Sequence, residues 1–313
     1  MNILIWHVHG SWLTSFVQGR HTYLVPRLPD RGPDGAGRPA RPGTFAWPSS
    51  AVEVSPAELR DAAVDVVVVQ RPRDEALAAA WLGGRVPGHD VPMVWLEHNA
   101  PQGRIANLRH PAADRDDLTV VHVTHFNDLF WDCGRTRTTV IEHGIVDPGD
   151  RYTGELPAAA VVINEPVRRG RVTGTDLLPR FAAAVPVDLF GMGSEPLGGR
   201  DLPQTELYDA LARRRVYLHP VRWTSLGLSL LEAMHLGMPV VALATTEVAE
   251  AVPTEAGYVS TDVEVLVDAV RRLVADPEEA RLRGKAARSA VLARYGLARF
   301  LADWDALLAD VVR

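Results

Sequence analysis

Apolar residues in this chain gather in short runs separated by Gly, Pro and charged positions. Residues 2–8 are mostly apolar and hardly alternate, the pattern of a strand covered on both faces of a parallel sheet. Similar runs predict strands at 20–26, 64–70, 91–97, 118–124 and 138–142. Helices are expected between them at 74–82, with Asp74 as N-cap, and at 127–133. The second half repeats the alternation with shorter periods: strands at 161–164, 187–190, 216–220, 240–242 and 257–259, helices at 204–212, 228–236, 262–275, 277–295 and 298–312. Residues 29–48, rich in Pro, Gly and Arg, read as a loop, either filler or a lid, with Trp47 placed to pin its end. A polar connection at 147–157 marks a domain boundary. Two βα series with buried strands imply an α/β protein of two doubly wound domains, 1–150 and 151–297, facing a central cleft.

The second domain is organised around residues 224–242. Gly227 supplies a turn, the apolar run from Leu228 to Leu236 a buried helix, Gly237 a stop, and Pro239 leads into the next strand. A helix N-terminus beside a glycine presents free backbone N–H groups, which suits phosphate. Glu232, about one turn in, is either satisfied locally in a packing unit or aimed at a ligand. Arg168, Arg169 and Arg171 directly follow a strand, as a solvated loop or as a clamp on a diphosphate.

In the first half, polar residues collect where strands end. His7 and His9 precede Gly10, a weak phosphate signal well short of a dinucleotide fingerprint. His98 opens a Pro/Gly turn after 91–97 and is the first half's candidate catalytic histidine, although strand-end histidines often only hydrogen-bond locally.

Composition narrows the class. The 313 residues are 47% hydrophobic and 23% charged, as in soluble globular proteins, and are enough for two domains. A net charge of -6 argues against a nucleic-acid partner. Cys133 is the only cysteine, so neither an intrachain disulfide nor a cysteine metal site is expected, and a cytoplasmic address is. The first residues run straight into a strand, so no signal peptide is expected, and no apolar run has transmembrane length. Lys285 is the only lysine, consistent with a GC-rich coding bias, so a cation facing a phosphate must be an arginine.

These residues resemble the GT-B retaining glycosyltransferases of family GT4. The resemblance rests on Gly227-Leu228 through Glu232-Ala233-Met234 and Gly237-Met238-Pro239-Val240-Val241-Ala242. Arg168 to Leu178, Phe190-Gly191-Met192-Gly193 and the closing helices agree in order, and His143-Gly144-Ile145 is similar to the family's Asn-Gly-Ile. The match covers roughly residues 160 to 310 and is weak before them. It implies two Rossmann-like domains, the first binding an acceptor and the second a nucleotide sugar, with residues 298–313 packing back on the first. It further implies that Glu232 holds ribose hydroxyls and that Gly227 and Leu228 offer N–H groups to the diphosphate or the sugar. Arg168 would bind and stabilise the diphosphate, Gly10 would approach it, and His98 would contact the transferred sugar. Thr224, Ser225 and Leu226 belong to the same donor loop, as Gly191 and Met192 belong to the strand-end turn.

Two positions depart from the family pattern: Thr224 stands where its first glutamate is found, and Thr173 where its lysine is found. Arg169 or Arg171 would have to supply the missing cation. The implied reaction moves a hexosyl group from a UDP- or GDP-linked sugar to a small-molecule, lipid-linked or glycan acceptor, with retention and without metal or cofactor. A nucleotide-sugar binder without catalysis and a sugar-nucleotide epimerase remain alternatives.

Overall fold

The computed structural model describes residues 1–39 and 47–313, which divide into two compact units. Residues 40–46, part of the expected loop at 29–48, lie outside the described residues.

The first unit draws on residues up to 146 and on Leu297–Arg313. Its elements in chain order are β1 (Asn2–Ile5), α1 (Gly10–Phe16), β2 (Thr22–Pro26), β3 (Ala51–Val54), α2 (Pro56–Asp61), β4 (Val66–Val69), α3 (Pro72–Trp81), β5 (Met93–Glu97), β6 (Leu118–His122), α4 (His125–Phe130) and β7 (Arg137–Val140). The seven strands form a parallel sheet in the order β3-β2-β1-β4-β5-β6-β7. The unbroken apolar runs follow from this, because central strands such as β4 bury all four of their valines.

The second unit, Asp147–Gly296, holds β8 (Leu156–Val162), α5 (Pro166–Arg169), α6 (Leu178–Ala182), β9 (Val187–Phe190), α7 (Gln204–Arg213), β10 (Arg214–His219), α8 (Leu228–His235), β11 (Val240–Leu243), α9 (Val248–Ala251), β12 (Gly257–Ser260), α10 (Val263–Ala275) and α11 (Pro277–Tyr295). Its five parallel strands run β12-β11-β10-β8-β9. The last helix, α12 (Leu297–Val311), belongs to the first unit, where Phe300 and Trp304 meet Trp12 edge-on.

Several local expectations need correction. Asp74 does not cap α3. The helix starts two residues earlier, at Pro72 after Arg71, and the Asp74 carboxylate accepts from the Gln70 N–H at 3.0 Å and pairs with Arg71. The helix expected at 127–133 is α4, which starts at His125 because the Thr124 hydroxyl caps it by accepting from Asn127 N–H. Cys133 lies beyond that helix, with its Sγ 3.6 Å from His122 Nε2. β3, α2 and α9 were not expected. The signal for α2 was present, since Ser55 and Glu58 form a reciprocal capping box around Pro56. Residues 165–178 fold as α5, two 3-10 turns (Gly170–Thr173 and Thr175–Leu177) and the start of α6.

Candidate functional site

In an open parallel sheet, ligands settle beyond the carboxyl ends of the strands, where the strand order reverses. In the first unit that point lies between β1 and β4. The loops there carry His7, His9, Gly10 and Gln70, and His98 follows the neighbouring β5.

His98 is 8% exposed, and its Nε2 lies 3.0 Å from Gln70 Oε1. Gln70 donates its amide N–H to Trp6 O at 2.8 Å, so its oxygen must face the histidine. His98 Nε2 therefore carries the proton. The His9 and Trp12 ring centroids lie 4.1 and 5.1 Å from that of His98, with Trp12 set edge-on to it. Burial, then the neighbouring His9 and His143, holds the His98 pKa well below its usual value. Burial also lowers His9 to about 4 and His143 to about 3. His143 is 2% exposed, with neither ring nitrogen partnered among the described residues. All three are neutral imidazoles at pH 7, able to exchange hydrogen bonds but not to act as cations.

The His98 loop is pinned from behind. Glu97 accepts from Asn99 N–H at 2.7 Å and from His110 Nε2–H at 3.0 Å, while His110 Nδ1 accepts from Ala112 N–H. His7 donates from Nδ1 to Gly37 O at 2.8 Å. Gly10 is exposed, and a Cβ there would meet nothing nearer than His7 Nε2 at 3.5 Å, so the fold itself does not require a glycine. Gln70, Glu97 and His110 are not singled out by the sequence: Gln70 and Glu97 have only their strand-end positions to mark them, and His110 sits in the long connection between β5 and β6 with no such signal.

In the second unit the order reverses between β8 and β10. The loop after β10 runs through Thr224, Ser225 and Leu226 to Gly227, the N-cap of α8. Gly227 has no side chain because His219 occupies the space: a Cβ would lie 2.5 Å from His219 Cε1. His219 is 1% exposed, unpartnered at both nitrogens among the described residues, and lowered to about 4 by burial. Tyr217, on the same strand, donates to Ser229 Oγ at 2.9 Å and secures the first turn of α8. The N–H groups of Gly227, Leu228 and Ser229 precede the first intrahelical bonds, and among the described residues no partner is recorded for them. Glu232 is 4% exposed; burial, and after it the Glu232 charge, raises the pKa of Tyr208 and Tyr217 beside it. Ser225 and Leu226 are buried, and Thr224 is half-buried.

The turn after β9 interlocks with the one after β8. Gly191, at φ +127, lies so close to Ile163 O that a Cβ would come within 2.3 Å of it, and Met192 N–H donates to Asn164 Oδ1 at 3.0 Å. The Met192 side chain is exposed. Glu165, a non-glycine at φ +55, sits in the left-handed region between β8 and α5. Such strain gathers at functional sites.

The three arginines differ. Arg168 is exposed and loosely paired with Glu165 at 3.6 Å, and Arg171 is exposed and 3.4 Å from Asp176. Arg169 is half-buried, its pKa is lowered by burial and by Arg168, and among the described residues no carboxylate pairs with it. Thr173 is 1% exposed, its hydroxyl tied to Gly170 O and Thr175 Oγ1 at 3.0 Å each. Among the described residues no three His, Cys, Asp or Glu are grouped to hold a metal, and no helix is long and apolar enough to cross a membrane.

Residues 195–276 match the family described as Glycosyl transferases group 1. No curated protein matches the chain. The fold is that of GT-B glycosyltransferase structures. Sucrose-phosphate synthase from Thermosynechococcus elongatus superposes with a TM-score of 0.72 at 14% identity, covering 99% of this chain and 98% of that one. Anabaena HepE in complex with UDP gives 0.67 at 14% identity, covering 99% and 100%. A glycosyltransferase from Rickettsia africae gives 0.65 at 11%, covering 100% and 98%.

Proposed function

We propose that this chain is a glycosyltransferase that moves a hexosyl group from a UDP- or GDP-linked sugar to an acceptor hydroxyl, with retention and without a metal. The observation that carries the reading is the α8 N-terminus at the second unit's reversal point, with its N–H groups free and Glu232 one turn in. It lies within the stretch that matches the glycosyltransferase family. HepE, of the same fold, has been seen with UDP and with UDP-glucose, which favours a uridine donor.

The chemical difficulty is charge that develops on the departing diphosphate as the anomeric C–O bond breaks. Fixed N–H groups at Gly227 to Ser229 address that charge without reorganisation. Arg169, the arginine without a carboxylate partner, adds a cation, with the exposed Arg168 beside it. Glu232, its carboxylate next to Tyr208, accepts hydrogen bonds from ribose hydroxyls. In the first unit, His98 offers a neutral, oriented imidazole to the sugar or acceptor. The acceptor is a small molecule, a lipid-linked group or a glycan.

A second reading, nucleotide-sugar binding without transfer, is motivated by Thr173 and Thr224, neither of which supplies the charge found at its place in the family. Thermal-shift screening against UDP, GDP, dTDP and ADP, each alone and as its sugar conjugate, tests donor binding. A ligand at a hundredfold excess over its Kd stabilises by about 2.7 kcal/mol. Glu232→Ala should abolish the shift, and nucleoside diphosphate release should depend on added acceptor. No shift with any nucleotide would sink the reading; binding without acceptor-dependent release would leave the second one.

A further inference from the structure

The segment carrying the arginine cluster has little local structure of its own. α5 has four residues and is followed by two 3-10 turns, all too short to be stable alone. The residues after β10 hold this turn in place. The backbone N–H groups of Arg222 and Trp223 both donate to Val172 O, at 2.9 and 3.2 Å. Arg222 Nη1 donates to Arg171 O at 2.7 Å. The Arg222 guanidinium also forks onto Asp176, with Nη2 2.9 Å from Oδ2 and Nη1 on Oδ1. Gly174, at φ +74, lets the turn lie against the Pro220 carbonyl, where a Cβ would come within 1.9 Å of the oxygen.

We propose that Arg222 is a positioning residue: its pair with Asp176 locks the 168–177 turn onto the loop that leads into α8, presetting the arginine cluster for a nucleoside diphosphate. This rests on the reading of the second unit as donor-binding. The guanidinium fork is committed to a carboxylate and a carbonyl, so Arg222 acts through Arg168 and Arg169 and does not itself touch the ligand. Without the lock, the turn must be ordered at the moment of binding, and affinity falls by that cost. The side chains of the pair are 23% and 42% exposed, so its loss should change global stability little.

The test is UDP titration by calorimetry on the full chain, with donor kinetics alongside. Arg222→Ala and the isosteric Asp176→Asn should each weaken UDP binding about tenfold and raise the donor KM, with kcat and Tm nearly unchanged. The charge-exchanged double variant, Arg222→Asp with Asp176→Arg, should regain much of the affinity. If the wild-type chain binds UDP and both single variants bind it equally well, the assignment is overturned while the donor reading stands. If the single variants lose affinity and the exchanged pair regains none, Arg222 contacts the ligand directly and the positioning role is overturned. If the wild-type chain binds neither UDP nor GDP, the donor reading fails first.

Discussion

The buried histidines make an acid-stability prediction that needs no substrate. Burial lowers His9, His122 and His219 to about 4 and His143 to about 3, from an ordinary 6.5. Each is neutral when folded and takes up a proton on unfolding at any pH between these values. The unfolded chain then binds more protons, so stability rises with pH through that window and is lost as pH falls from 6.5 towards 4. At pH 5 the cost is about 1.5 pK units at 1.36 kcal/mol each, roughly 2 kcal/mol per histidine. Three of them, His9, His122 and His143, lie in the first unit, and their joint cost of about 6 kcal/mol falls within the 5–15 kcal/mol that ordinarily holds a domain folded. The ion-paired carboxylates Asp34 and Asp176, held down by Arg73 and Arg222, lose their contribution only below the ordinary 3.8, a separate window. Urea unfolding at pH 7, 6 and 5 measures the slope. Replacing His143 by Asn, which does not titrate, should flatten it by close to one proton, whatever it does to stability at pH 7. Equal stability at pH 7 and pH 5, or a slope unchanged in the variant, would show that these imidazoles are not held neutral.

Three further substitutions test the geometry. Gly174→Ala combines a left-handed φ with a backbone oxygen 1.9 Å from the new Cβ. It should cost about 1 kcal/mol for the backbone and a further 1–3 for the clash, read as a fall in Tm. Gly227→Ala meets the buried His219 ring at 2.5 Å, so it should destabilise by about 1–3 kcal/mol and also lose the nucleotide-induced thermal shift. Gln70→Leu removes the acceptor that fixes the His98 proton on Nε2. Imidazole 15N shifts should report a single Nε2–H tautomer in the wild-type chain and a mixture in the variant.

The parts of the fold legible in the sequence were those where local chemistry and tertiary packing agree. Gly227, the apolar run to His235, Gly237 at φ +87 and Pro239 each favour the turn, helix and stop that the chain makes there. β3 is not legible in the sequence because it is four residues long, has an exposed Val52, and follows a Pro/Gly-rich stretch. The start of α3 was misplaced because Asp74 has the chemistry of an N-cap. Its carboxylate is instead buried against Arg71 and the Gln70 N–H, a tertiary choice that the sequence does not display. Gln70 itself reads as the polar end of a strand. Its bond to His98 joins residues 28 apart through two neighbouring strands, a relation no local pattern records.

The two departures at Thr173 and Thr224 can be weighed against these positions. Thr173 has no room to be a lysine in disguise: its hydroxyl closes the 3-10 turn, and its side chain is shut away from solvent. Charge at the second unit's strand ends must therefore come from neighbours, and the neighbours are unequal. Arg171 and Arg222 share Asp176, so much of their charge is already balanced. Arg169 has burial against it and, after that, the like charge of Arg168 beside it, and both raise the free energy of its charged state. An anion brought to Arg169 relieves both, so a diphosphate would gain more there than at the solvated Arg168. Arg169→Ala should on this argument weaken UDP binding more than Arg168→Ala, and calorimetric titration of both variants decides it. Equal losses would mean that the half-buried position confers no advantage, and that the cation replacing the missing lysine lies elsewhere.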